Sequence, residues 1–497
     1  MEHIDSLGLF WLPGHEEDSD KLSGRLQFDP GGGGISLSLV GIFDNAVDDR
    51  GEPTVRIFGW LGNKPVTLDR CFSTGTNQPT PGVIGSSFHA NRMFVGHHIE
   101  SKDQRFQEAE ATFGHTDVWV GRSGIDIQKD YFDRKDDTPI YTATFTPIAQ
   151  QDHPFNRGRV KLGYCWKHHG DPTQGISMKQ WPVFTIRYDE PRPLDDIEQD
   201  IRLLQNLITL CMDGPTDLDR LVLTHPDIHM FMLGGSDSGA EQPIDVIKSP
   251  IPYTSPDKRK PRYTHDMLLT FDDLGGLPTI ARWLDVAPKF RRALNSLMSV
   301  KYAERMYAEN RFLNATFGAE SFHRLTQNEP YMAPESFDQL LNACLEAAPE
   351  DHREWLLGKI GFGNDPPLVK RLGRLAGRAS TAVRPVIGEK RRWAGTLSDV
   401  RNELTHLNAD SPEFDGGDLV NLTDSVYAVV RTCMLLDCGV SMEMLTRKAS
   451  SANVFWYRGR LAQSIERVRE QMRLLREARN ASRMQADQPT IDKGSEP

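Results

Sequence analysis

The apolar residues of this 497-residue chain change their period part-way along it. Up to about residue 190 they alternate or cluster in runs of strand length, and from about residue 286 they recur every three or four positions. Period two suits a strand with one buried face, and a period near 3.6 suits a helix with one buried stripe. No single sheet or bundle uses both. The chain is therefore expected to fold as an α+β multidomain protein, a β-rich sandwich or barrel-like domain followed by an all-α helical bundle. Its length agrees, because one core stops growing near about 250–300 residues.

Within the first part, KLSGRLQFDPGGGGISLSLVGIF (residues 21–43) reads as two strands around a glycine turn. TVRIFGWLG, DVWVGRSG, IYTATFTPI, RVKLGYCWKHHG and WPVFTIRYD follow as further strands with turn residues between them. The Gly31–Gly34 run lacks the Gly-Lys-Ser/Thr ending of a phosphate-binding loop, so it is read as a hairpin turn. A helix is expected over residues 194–212, where Ile197, Ile201, Leu204, Ile208 and Cys211 recur at helical spacing. Residues 213–285 are mixed, and the proline-rich basic stretch 249–263 is expected to be a surface loop. The second part contains helical patterns at 300–326, in PESFDQLLNACLEAA, in DLVNLTDSVYAVVRTCMLLDCG and in NVFWYRGRLAQSIERVREQMRLLREARN. The expected organisation is a β-rich domain over 1–285, an all-α domain over 286–480 and a polar, disordered tail over 481–497.

The formal charge of −11 argues against a general nucleic-acid coat protein but says little about a local patch. No run of about 18 apolar residues is evident, so no membrane partner is expected. The acidic beginning does not read as a signal peptide. Six scattered cysteines form no C-x-x-C pair and suit a reducing compartment, the cytoplasm by default.

Arg-x-x-x-x-His occurs three times, at Arg92–His97, Arg220–His225 and Arg401–His406. The first sits in a strand-like stretch and the second runs into a proline. Only the third, in GTLSDVRNELTHLN, has a helical period. Thr396 or Ser398 is the expected cap, with Asp399 in the first turn. At about 100° per residue, Leu397, Val400, Leu404 and Leu407 fall within about 80° of one another as a buried stripe. His406 lies about 140° from its middle, with Asn402 and Asp399 on its own side and Arg401 at the flank.

From Lys370 to Arg401, nine basic residues face only Glu389 and Asp399. Lys390, Arg391 and Arg392 are candidate phosphate-binding residues for RNA. RNA brings its own nucleophile, the 2′-hydroxyl. Cutting it needs proton transfer near neutral pH, which histidine supplies, and donors on the non-bridging phosphate oxygens, which arginine supplies. Asn402 can hold the phosphate or orient the histidine. The candidate catalytic set is Arg401, Asn402 and His406, with no metal and no cofactor in the scheme. His97–His98 with Glu100, and His168–His169 with Asp171, look like metal clusters, but adjacent residues on a strand point to opposite faces.

With RNELTH in an all-α C-terminal domain, the chain resembles the HEPN superfamily, whose signature is Arg, a polar residue, then His four to six positions after the Arg. FLNATFGAESFHRL (312–325) followed by the RN-x-x-x-H helix is similar to the HEPN domain of ApeA-type anti-phage defence proteins. The β-rich half running into EPRPLDDIEQDIRLLQNLITLCMDGP resembles the ApeA N-terminal domain. That resemblance implies a metal-independent endoribonuclease acting by abortive infection, on a tRNA or another cellular RNA. It also implies a site shared in a homodimer or higher homo-oligomer, and a phage-derived trigger sensed by the N-terminal domain. Two other readings remain: a non-catalytic HEPN module that binds RNA or protein, and an active β domain that binds carbohydrate or protein with helices used for dimerisation.

Overall fold

The computed structural model describes residues 3–14, 18–43, 55–100, 104–129, 141–171, 173–231, 235–249, 263–303, 305–327, 329–406, 411–449 and 452–486. It forms two compact units, residues 1–285 and 286–497.

The first unit begins with β1 (Ile4–Trp11), β2 (Leu22–Asp29), β3 (Gly34–Val40), β4 (Val55–Leu61), β5 (Lys64–Asn77) and β6 (Gly85–Val95). They pair antiparallel in the order β6-β3-β2-β1-β4-β5, and β5 pairs back onto β6, so a six-stranded barrel closes. Closure removes both free edges from this part of the sheet. The alternation read in 21–43 is the reason it can close: Leu26 and Phe28 on β2 and Ile35, Leu37 and Leu39 on β3 all point into one buried core with Phe10, Ile57, Leu68 and Met93. The glycine run makes the β2–β3 turn, where Asp29 accepts the Gly31 N–H through its side chain at 2.8 Å.

Among the described residues, ten more strands follow: β7 (Arg105–Phe113), β8 (Ile125–Lys129), β9 (Tyr141–Phe145), β10 (Gln151–Phe155), β11 (Gly158–Asp171), β12 (Gly175–Pro193), β13 (Leu218–Thr224), β14 (His229–Phe231), β15 (Asp237–Glu241) and β16 (Ile244–Lys248). Beyond β6 the sheet continues in the order β16-β13-β7-β12-β11-β10. One expected strand is a helix. DVWV belongs to α1 (Thr116–Val120), which buries Thr116, Trp119 and Val120 and ends at Gly121 with φ of +65°. A three-residue apolar run does not reveal its period, and the left-handed conformations of His115 and Gly121 close a helical turn there. Helix α2 (Leu194–Met212) lies where it was expected and packs on β7 and β12. Helices begin again before residue 286, at α3 (Phe271–Leu274) and α4 (Gly276–Val286). The loop expected at 249–263 falls, from 250 to 262, outside the described residues.

The second unit contains α5 (Arg291–Tyr302), α6 (Ala308–Gln327), α7 (Pro334–Ala347), α8 (Arg353–Ile360), α9 (Leu368–Ile387), α10 (Lys390–His406), α11 (Gly416–Asp437), α12 (Met442–Lys448) and α13 (Ala452–Ala486). The pattern at 300–326 is not one helix. Ala303 is extended (φ −88°, ψ 101°) and ends α5, and Arg311 on α6 donates back to the Val300 carbonyl at 2.5 Å. Helix α13 runs six residues past 480, so the expected tail starts too early. Helix α11 is long and apolar enough to cross a membrane by length and composition, but it is mostly buried, against α6, α9 and α13. Gly318 lets α6 lie against α5: a Cβ there would stand 3.1 Å from the Leu297 nitrogen and 3.2 Å from the Ala293 oxygen. That close seating fixes the depth at which the rest of α6 meets α10.

Candidate active site

The first two Arg-x-x-x-x-His matches are taken up by the fold. Arg92, on β6, donates to Asp69 at 2.6 Å and to Glu198 at 3.0 Å. Arg220, on β13, pairs with Asp245 at 2.6 Å. His98 is packed between Trp11, Phe58 and Trp60, with Nε2 at 3.0 Å from the Gly59 carbonyl. His168 and His169 lie on β11 opposite Met178 and Ser177. Among the described residues, no group of three or more His, Cys, Asp or Glu side chains is arranged to hold a metal ion.

The third match lies on α10. This helix starts earlier than its capping residues suggest: the Glu389 carboxylate accepts the Arg391 N–H at 2.8 Å and the Arg392 N–H at 2.6 Å. Glu389 is therefore the cap, and those bonds hold its carboxyl below the usual carboxylate range. Thr396 is buried inside the helix and donates to the Arg392 carbonyl at 2.9 Å, so neither it nor Ser398 is a cap. Trp393, Leu397 and Val400 form the buried stripe, with Leu404 half-buried; Leu407 lies outside the described residues. Trp393 is tied down by its indole N–H, which donates to Ser425 on α11 at 2.9 Å.

Asn402 and His406 are exposed, on the side away from that stripe. Arg401 leaves the same helix toward α6. Its guanidinium lies 5.8 Å from the centre of the Phe317 ring, its Nη2 is 3.7 Å from Glu320 Oε2, and its Nη1 donates to Asn402 Oδ1 at 3.4 Å. Among the described residues Arg401 makes no hydrogen bond or ion pair with His406. On the other flank stands α13. Arg476 donates to Asp399 at 2.6 Å, and Arg479 grips the buried Glu403 through both nitrogens at 2.8 and 2.9 Å. Asp399 was expected on a free face with His406, but an arginine of its own chain covers it. The strip bearing Asn402 and His406 is thus walled by α6 on the Arg401 side and by α13 on the Asp399 side. Phe317, Glu320, Arg476 and Arg479 escaped sequence reading. Each sits on another helix some 75 to 85 residues away, and no short-range pattern announces such a contact.

Most of the basic run is already neutralised. Arg378 pairs with Asp437, Arg392 with Glu466 on α13, and Arg374 reaches Glu329 at 3.6 Å. Arg371 is buried. Lys390 and Arg391 are exposed and make no ion pair among the described residues. By helix rise the Lys390–Arg392 turn stands about 24 Å from His406.

Residues 5–283 match the family of the ApeA N-terminal domain 1, and residues 313–444 match the Apea-like HEPN family. The chain belongs to the ApeA family. Neither a curated protein nor a solved structure matches it. The HEPN match opens inside α6 and closes inside α12, so it takes in Phe317, Glu320 and the whole of RNELTH. HEPN domains generally act on RNA and dimerise. Helix α13, with Arg476 and Arg479, lies beyond the matched residues.

Proposed function

We propose that this ApeA-family protein is a metal-independent endoribonuclease of anti-phage defence, and that Arg401, Asn402 and His406 cut the RNA. The observation that carries the reading is the RNELTH helix in an Apea-like HEPN domain: its Asn402 and His406 are exposed, and its Arg401 is held at their flank by α6. The scissile phosphate sits over the strip. One His406 takes the proton of the 2′-hydroxyl as that oxygen attacks phosphorus. A second histidine gives a proton to the departing 5′-oxygen. Arg401 donates to the non-bridging oxygens as their charge builds, and Asn402 holds the phosphate.

One helix offers one histidine, so the second is the His406 of another copy, brought across a two-fold axis. Abortive infection then follows from destroying cellular RNA, with the β-rich unit sensing a phage-derived trigger in the cytoplasm. Lys390 and Arg391, and Arg392 to a smaller degree, hold flanking phosphates.

The test is product chemistry. Labelled RNA incubated with the protein in chelator is expected to be cut, leaving a 2′,3′-cyclic phosphate and a 5′-hydroxyl. A 5′-phosphate product or a strict Mg²⁺ requirement contradicts the mechanism. Interface substitutions outside Arg401–His406 that give a folded monomer by light scattering should remove cleavage. A monomer cutting at the full rate contradicts the shared site.

A further inference from the structure

The guanidinium of Arg401 is placed by something other than its own helix. On α6, Phe317 and Glu320 are three residues apart and therefore share a face. Phe317 is 44% exposed. Arg401 lies on it. The two oxygens of Glu320 are divided between two arginines: Oε2 stands 3.7 Å from Arg401, and Oε1 accepts from Arg324, one helical turn on, at 3.3 Å. Arg324 and Glu320 thus brace each other, and Arg401 rests against the brace.

Two features argue that this arrangement serves position rather than stability. The Glu320–Arg401 contact is long, at 3.7 Å, and is made at the edge of the unit by side chains 23% and 27% exposed, so it adds little to folding. In addition, the Arg401 Nε is buried and has no hydrogen-bond partner among the described residues. A buried N–H without an acceptor is costly. The fold tolerates that cost in holding the guanidinium where it is, a pattern expected where a side chain is kept for chemistry.

We infer that Glu320 is a positioning residue for Arg401: with the Phe317 ring beneath, it sets the direction of the guanidinium that meets the RNA phosphate. This rests on the nuclease reading above and deepens it. Glu320 does not touch the RNA. It keeps one edge of the guanidinium engaged so that the remaining donors face the strip with Asn402 and His406. Its negative charge also keeps Arg324 and Arg401 from repelling each other. Positioning of this kind acts on the transition state more than on binding, because misplacing a donor by about an ångström can cost far more in rate than in affinity.

The experiment compares wild type with Glu320→Gln, which keeps the shape and loses the charge, and with Arg324→Gln, which removes only the brace. The expected result for Glu320→Gln is a kcat about tenfold lower with KM changed less than about twofold, and a smaller fall in the same sense for Arg324→Gln. In an Arg401→Lys background, Glu320→Gln should produce no further fall. Unchanged kcat, a rise in kcat, or equal losses in both backgrounds would overturn the inference. A crystal structure of Glu320→Gln supplies a readout that needs no catalysis. Arg401 is expected to leave the Phe317 ring, and a guanidinium still seated there overturns the positioning role even if the wild-type protein cuts no RNA. Absence of wild-type cleavage, with Arg401 displaced in the variant, would instead count against the nuclease reading alone.

Discussion

His323 and His406 belong to the same helical unit, and each has an arginine associated with it, but only one of them meets water. His323, on α6, is 0% exposed, and its Nδ1 receives a hydrogen bond from Arg371 Nη1 at 3.2 Å. Arg371, on α9, is 1% exposed and also donates from Nε to the Pro366 carbonyl at 2.9 Å. Because arginine can only donate, His323 Nδ1 must be the unprotonated nitrogen. Burial, and then the nearby charges of Arg371 and Arg374, push the His323 pKa down to about 4. Burial lowers that of Arg371 as well. His406 ends its helix in solvent, and Arg401 leaves that helix sideways to α6. Identical residue types thus give a locked pair, a neutral imidazole held by a charged guanidinium, that bolts α6 to α9, and a water-facing set proposed to receive a phosphate. Burial, more than residue identity, separates architecture from chemistry here.

The comparison can be broken most severely at Arg401. Arg401→Ala is expected to lower RNA cleavage by at least about 10²-fold and to leave the melting temperature near that of wild type, because the side chain adds little to the core. Retained cleavage by a folded variant would remove the difference between the two pairs.

The buried pair makes a prediction in pH. The folded-state pKa of His323, about 4, lies below its ordinary value of 6.5. Above about pH 6.5 the ring is neutral in both folded and unfolded chains and contributes no slope. Between about 6.5 and 4 only the unfolded chain binds the proton, so stability falls as pH falls. The loss approaches about 3 kcal/mol near pH 4 and then levels off. His323→Gln should lack this component. Denaturant titrations of both proteins from pH 7 to 4, compared as a difference, measure it. Parallel curves would mean that His323 is not held neutral.

The smallest effect belongs to the far end of α10. Changing Lys390, Arg391 and Arg392 together to Gln should weaken RNA binding in low salt. Since Arg392 is already paired with Glu466, only about two phosphate contacts are lost, and the log–log salt slope should fall by about 1.4. A fall of about 2.1, as for three contacts, would show Arg392 leaving Glu466 for RNA.

The sequence made the exposed set legible and hid the buried one. RNELTH is a local pattern: helical period alone puts Asn402 and His406 opposite Leu397 and Val400. His323 and Arg371 are 48 residues apart, and their contact depends on how α6 and α9 pack. The same limit hid Glu320 and Phe317 from Arg401, and Arg476 from Asp399. Glu403 was unreadable for another reason, since a glutamate is normally a surface residue, and its burial depends on partners such as Arg479 and Ser411 that lie outside its own helix. In the β-rich unit, sequence pattern revealed the β2–β3 hairpin and strands β4, β9, β11 and β12, but not β5 or its pairing with β6, the long-range step that turns a sheet into a barrel. The break at Ala303 was masked because apolar spacing continues across it.

The most direct test places the two histidines side by side. His406→Ala and His323→Gln are purified, their folded fractions are set equal, and single-turnover cleavage of one labelled RNA is timed in chelator. The account predicts that His406→Ala loses at least about 10²-fold in rate with an unchanged melting temperature, and that His323→Gln melts earlier but cuts at nearly the wild-type rate per folded molecule. A well-folded His406→Ala protein that cuts at the wild-type rate would contradict the account.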